Sequence, residues 1–110
     1  MDIAAARTRL QEALADVDRS IAILKGEHPE RENSASDAGA ILSDSDRVEA
    51  ALESLERHRA AVAQALDRIA AGTYGRCVEC GGPVPEGRLE VRPEAARCLA
   101  CQARHDKALR

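Results

Sequence analysis

Residues 77–101 read CVECGGPVPEGRLEVRPEAARCLAC and hold all four cysteines of the 110-residue chain. The cysteines form two pairs, Cys77-x2-Cys80 and Cys98-x2-Cys101, with 17 residues between them. That spacing falls within the C-x2-C-x(15–20)-C-x2-C pattern of tetrahedral zinc bound by four thiolates. Each pair makes a tight knuckle that presents two sulfurs at one edge. Gly81, Gly82, Pro83 and Pro93 supply turns that bring the knuckles together. The expected cofactor is one structural zinc ion ligated by Cys77, Cys80, Cys98 and Cys101; four sulfurs leave no position open for water or substrate, so the metal is not catalytic. Disulfides are the ordinary alternative. They are disfavoured because the N-terminus, MDIAAARTRLQEALADVD, is acidic and amphipathic where a secretion signal is basic and then apolar. A dithiol redox site needs only one pair, and a sensor that releases zinc on oxidation stays open. His105, spaced C-x3-H from Cys101, is a further ligand type at hand but reads as a surface residue of a last helix.

A metal is needed because little else would hold this region together. The chain has one aromatic residue, Tyr74, and alanine and leucine make up most of its 45 % apolar content, while 32 % of its residues are charged. That composition belongs to long helices and coiled coils rather than to a large core, and it predicts an elongated molecule. No stretch approaches the roughly 18–20 apolar residues needed to cross a bilayer. The expectation is a cytoplasmic protein without membrane contact, and a monomer.

Upstream of the cysteines the apolar spacing is helical. Ile3, Leu10, Leu14, Val17, Ile21 and Leu24 fall on one seam that alternates steps of four and three from Leu10 onward. This predicts a first helix over about residues 2–25, broken by Gly26 and Pro29 in KGEHPERENSASD. A second seam passes through Ile41, Val48, Leu52, Leu55, Val62, Leu66 and Ile69. It predicts a helix from near Ser34 to Gly72, with Ser43 as an alternative start. Folded on each other, the helices place Leu24 near Ile41 and Leu10 near Leu55 or Val62. Arg7, Ser45 and Arg59 interrupt the seams; the arginines are read as covering them with their methylenes. The fold expected is all-α: an antiparallel helical hairpin, or coiled-coil arm, over 1–71 with its tip near 26–42, then a four-cysteine zinc finger and short C-terminal helix over 72–110.

Tyr74-Gly75 before the first knuckle, Gly81 after it, Pro83, Arg88-Leu89, Arg92-Pro93 and all four cysteines resemble the DksA/TraR family of four-cysteine zinc-finger proteins. The preceding hairpin agrees with that architecture. The resemblance implies a bacterial transcription regulator whose zinc module supports a coiled-coil arm that enters the secondary channel of RNA polymerase and brings acidic tip residues to the catalytic centre. The family's tip pattern is D-x-x-D-x-A, its second acid 40 residues before the first cysteine, which is Asp37 here. The matching segment is S-A-S-D-A-G, so Ser34 and Gly39 replace the first acid and the alanine. Asp44 and Asp46 add charge nearby and also suit a solvated first turn of helix. Of the basic residues that bind guanosine tetraphosphate in the family, Arg92 is kept, while Ala61 and Gln102 stand where lysines are expected. Weak or absent synergy with that nucleotide follows.

Charge weighs the alternatives. Residues 1–70 carry 9 Lys/Arg and 14 Asp/Glu, net −5; residues 71–110 carry 7 and 5, net +2; together −3. A nucleic-acid-binding zinc module would rest on the C-terminal arginines, but five acids are interleaved with them and only Tyr74 is available to stack on bases. Direct DNA binding is therefore not expected. A zinc- or redox-responsive protein-interaction adaptor is the remaining alternative. An enzyme is disfavoured because His28, His58 and His105 are far apart and no nucleophile is paired with a base.

Overall fold

The computed structural model describes the backbone of residues 2–32 and 38–109 and the side chains of residues 2–26 and 45–109. Four helices follow in order: α1 (Ile3–Glu32), α2 (Ala38–Ala71), α3 (Glu86–Val91) and α4 (Leu99–Ala108). Among the described residues there is no strand, only an isolated antiparallel bridge between Arg76 and Pro83, so the all-α expectation holds. No helix among them is long and apolar enough to cross a membrane. Two compact units are distinguished, residues 1–13 with 61–110, and residues 14–60.

Helix α1 begins where Asp2 caps it: its carboxylate accepts the Ala5 N–H at 3.1 Å, and its carbonyl accepts that of Ala6. The helix runs past Gly26 and Pro29, seven residues beyond the expected end at 25. Proline deletes one N–H and glycine costs about 1 kcal/mol; in a helix of 30 residues these local penalties do not stop propagation. Helix α2 is described from Ala38 onward, so the alternative start at Ser43 falls inside it, while the start expected near Ser34 lies outside the described residues. Its end matches expectation. Gly72 adopts φ +78°, its N–H bonds to the Ile69 carbonyl and the Thr73 N–H to that of Arg68 at 2.9 Å. This is a Schellman cap, whose left-handed position suits glycine.

In the unit of residues 14–60, Val17 and Val48 are buried, and Leu14, Ile21, Leu24, Leu52 and Leu55 are half-buried. The helices there are antiparallel: Asp18 meets Arg59 across the pair, and the six steps from Glu32 to Ala38 reach at most about 22 Å, too short for a parallel return. Arg59, an expected seam interruption, donates from Nε to Asp18 Oδ1 at 2.6 Å across the pair. The contact is half-exposed and worth at most about 1 kcal/mol. Ile41 and the residues proposed for the first cap of α2 lie outside the described side chains.

In the other unit, Leu10, Val62, Ala65 and Ile69 are buried. Leu10 and Val62, one of the two partners expected for it, lie in the same unit, whereas Ile3 is 38 % exposed and contributes little. Ala65 was not placed on the seam; its small side chain is fully covered all the same. The finger adds a second cluster of Cys77, Val84, Leu89 and Cys101, with Tyr74, Ala95 and Cys98 packed against it.

Candidate metal centre

The first knuckle is shaped by its backbone. Gly75, at φ +88°, precedes it, and its carbonyl accepts the Val84 N–H at 2.8 Å. The Cys77 N–H donates to the Gly82 carbonyl at 2.7 Å and the Gly81 N–H returns to the Cys77 carbonyl at 3.0 Å. Gly81 takes φ +74°, which closes the turn and leaves Cys77 and Cys80 facing the same way.

The link that the sequence reads as turns contains a helix. Pro85, with φ −57°, enters α3, Glu86 sits in its first turn, and Leu89 anchors it in the small core. The family residues Arg88 and Leu89 thereby gain physical roles, since Arg88 Nε donates to the Arg97 carbonyl at 3.1 Å. The chain then turns at Pro93, whose carbonyl accepts the Tyr74 hydroxyl at 2.8 Å. Val78 of the first knuckle donates to the Ala96 carbonyl at 2.9 Å and ties the two halves together. Cys98, extended at φ −68° and ψ 167°, leads into α4, and Cys101 lies in its first turn. An i, i+3 pair there lies on one helix face.

These elements bring together all four expected ligands. The sulfurs of Cys77, Cys80, Cys98 and Cys101 lie within 4.8 Å of one another, and Cys80 and Cys98 are 3.9 Å apart. Zinc at about 2.3 Å from each of four sulfurs requires tetrahedral edges of about 3.8 Å. The residues therefore fit a single thiophilic ion. His105 is not in the cluster: its Nδ1 lies 3.9 Å from Glu79 Oε1, as a residue of the last helix.

The sulfurs differ in their surroundings. Cys77 and Cys101 are buried, Cys98 is half-buried and Cys80 exposed. Backbone N–H groups, first that of Cys80 and then that of Cys98, hold the Cys77 thiol down to about 6. Cys101 is pushed up to about 12, first by its hydrogen bond with Cys98 and then by burial. As ligands of a divalent ion all four cysteines would be thiolates, so metal uptake would release protons. Around the ligands, the Gly82 N–H faces Cys80 Sγ at 3.4 Å, and Arg104 Nη2 lies 3.0 Å from Cys101 Sγ. Arg97 Nε donates to Glu79 Oε1 at 2.8 Å and keeps the Glu79 carboxyl below the usual range. The sequence reading missed Arg104 and the Glu79–Arg97 pair. An arginine three residues beyond a helical ligand was the signal for the first; the second joins residues 18 apart and had none.

The other expected site residues are not gathered here. Asp37 lies outside the described residues, and Asp44 is described only as backbone of α2. Asp46 is exposed on α2. Arg92 is exposed where α3 ends, its N–H bonded to the Arg88 carbonyl.

Comparison with known proteins agrees with this geometry. Residues 72–107 match the prokaryotic dksA/traR C4-type zinc finger. The chain is 38 % identical over 81 residues to the RNA polymerase-binding transcription factor DksA of Caulobacter vibrioides, a match that takes in 71 % of this chain and 56 % of that protein. The chain thus spans little more than half the length of that relative. The structure of transcription factor DksA2 from Pseudomonas aeruginosa is similar with a TM-score of 0.84 and 26 % identity, covering 96 % of this chain and 84 % of that one. The RNA polymerase binding protein and transcriptional regulator Dks of Chlamydia trachomatis shares the fold, with a TM-score of 0.65, 21 % identity and coverage of 99 % and 94 %. Residues 72–107 thus form a zinc finger of the dksA/traR C4 type, with its four sulfurs converged.

Proposed function

We propose that this chain is a non-enzymatic regulator of bacterial transcription that binds RNA polymerase. One zinc ion held by Cys77, Cys80, Cys98 and Cys101 makes the finger of residues 72–110 rigid. The finger anchors a coiled-coil arm of residues 1–71, and the arm carries Asp37, near a tip at 26–42, into the secondary channel to modulate initiation. Asp44 and Asp46 add negative charge beside it. A carboxylate in that position acts through its field and hydrogen bonds on the active-site loops, without itself doing chemistry. The observation that carries this reading is the convergence of four sulfurs within 4.8 Å in a finger of the DksA/TraR type. The polymerase-binding activity named for the Caulobacter relative supports the choice of partner.

Synergy with guanosine tetraphosphate is weak in this reading. Arg92 is exposed and stays available, but Gln102 offers no charge and its amide is engaged with Asp106 Oδ1 at 2.8 Å, while Ala61 is half-buried and apolar. The decisive experiment places a photo-crosslinker at residue 37 and maps its adducts on core polymerase, beside an Asp37→Asn variant in open-complex lifetime assays. Adducts near the catalytic centre, with a variant that binds but does not act, are expected. Full activity of Asp37→Asn means that the acid at the tip is assigned wrongly.

A further inference from the structure

We propose that Arg104 is a positioning residue of the metal centre, fixing Cys101 and offsetting the charge that four thiolates accumulate around one divalent ion. The proposal rests on the four-cysteine reading above and is independent of the polymerase partner. Four thiolates and one divalent cation sum to a formal charge of about −2. Part of that charge sits in an apolar place, because Cys101 is 1 % and Cys77 3 % exposed, beside Val84 and Leu89. Charge buried without a partner is costly, and a charged hydrogen-bond donor relieves it about twice as well as a neutral one. Arg104 supplies that donor from the next turn of α4, with Nη2 3.0 Å from Cys101 Sγ. Arg97, the neighbouring guanidinium, is spent on Glu79 at 2.8 Å. Cys80, the exposed sulfur, receives a backbone N–H at 3.4 Å and can draw on solvent. The guanidinium therefore stands at the sulfur with least access to water. The same contact orients the Cys101 side chain, whose sulfur would be a ligand of the ion.

The test measures zinc affinity by competition with a chromophoric chelator, for wild type, Arg104→Gln, Arg104→Lys and Lys107→Gln. Lys107→Gln removes one positive charge from the same helix about one turn further on. Loss of an outer-shell partner lowers metal affinity by about 10- to 100-fold, so Arg104→Gln should fall by about tenfold or more. Arg104→Lys should recover most of the loss and Lys107→Gln should match wild type. Equal affinities of wild type and Arg104→Gln, or equal losses in Arg104→Gln and Lys107→Gln, overturn the proposal. A second measurement needs no variant. In wild type loaded with an NMR-active cadmium isotope, an Arg104 side-chain N–H should show scalar coupling to the metal through Cys101 Sγ, and absence of that coupling also overturns it. Stoichiometric zinc in wild type alongside either negative result removes only the role of Arg104; wild type that binds no zinc removes the four-cysteine site itself.

Discussion

Replacing Gly81 by alanine should weaken zinc binding although nothing blocks the added methyl. A Cβ at Gly81 meets no atom within 4 Å, and the same is true at Gly87 in α3. The two positions differ in backbone: Gly81 holds φ +74° and Gly87 is not among the positive-φ glycines. An L-residue in the left-handed region costs about 1–2 kcal/mol. The smaller freedom of an unfolded alanine returns about 0.4–1 kcal/mol, which leaves Gly81→Ala with a net loss of about 1 kcal/mol. Gly87→Ala keeps the return without the strain. The apolar core of the finger is Val84 and Leu89 with two thiols, too small to fold the module unaided, so strain in the folded form reappears as weaker metal binding. Converted, Gly81→Ala binds zinc about fivefold more weakly and Gly87→Ala about two- to fivefold more tightly. Chelator competition on the two full-length variants reads both. Equal affinities, or tighter binding by Gly81→Ala, would refute the claim that a left-handed turn shapes the first knuckle.

Two further outcomes concern Tyr74, the sole aromatic residue and so a clean reporter on the finger. Stripping zinc with a strong chelator should release its hydroxyl from the Pro93 carbonyl and change tyrosine fluorescence together with loss of helix signal; an unchanged emission would mean the finger folds without metal. Burial pushes the Tyr74 phenol above its ordinary 10. A proton held more tightly in the folded state gives a contribution that is complete below about pH 10 and is lost as pH rises through the folded value. Phenolate absorbance should therefore titrate late in the zinc-loaded chain and normally in the unfolded one, and Tyr74→Phe should lose less stability between neutral and alkaline pH than wild type.

The parts of this fold that obey a short-range rule were legible in the sequence. Two Cys-x2-Cys pairs specify their own knuckles, and heptad spacing placed Leu10, Val17, Val48, Val62 and Ile69 on buried faces without knowledge of their partners. Gly72 announced the end of α2 because a Schellman cap needs a left-handed residue there. The end of α1 was misread because Gly26 and Pro29 were weighed as stops, whereas their cost is set against the whole helix. Helix α3 escaped notice for a different reason. Six residues carry too little periodicity to register, and what holds them is Leu89 entering a core that exists only once both knuckles have met. The Glu79–Arg97 pair is of the same kind, a consequence of tertiary closure.

How metal binding reaches the helices follows from contacts in the unit of residues 1–13 and 61–110. The turn at Gly72 is fixed by two hydrogen bonds to the last turn of α2, from the Gly72 N–H to the Ile69 carbonyl and from the Thr73 N–H to the Arg68 carbonyl. Two side chains then grip the turn before the second knuckle: Tyr74 donates to the Pro93 carbonyl at 2.8 Å and Arg68, on α2 itself, to the Glu94 carbonyl at 3.5 Å. Burial lowers the pKa of Arg68 from its ordinary range, so the guanidinium is partly desolvated and depends on such partners. The turn at 93–94 is placed by Ala96, which receives the Val78 N–H from the first knuckle. An ion held by the four cysteines would therefore bear on α2 through the backbone of residues 93–96, whose carbonyls accept from Val78, Tyr74 and Arg68. Removing one donor, as in Tyr74→Phe, should loosen the end of α2 while the four ligands stay in place, whereas metal removal should loosen both at once.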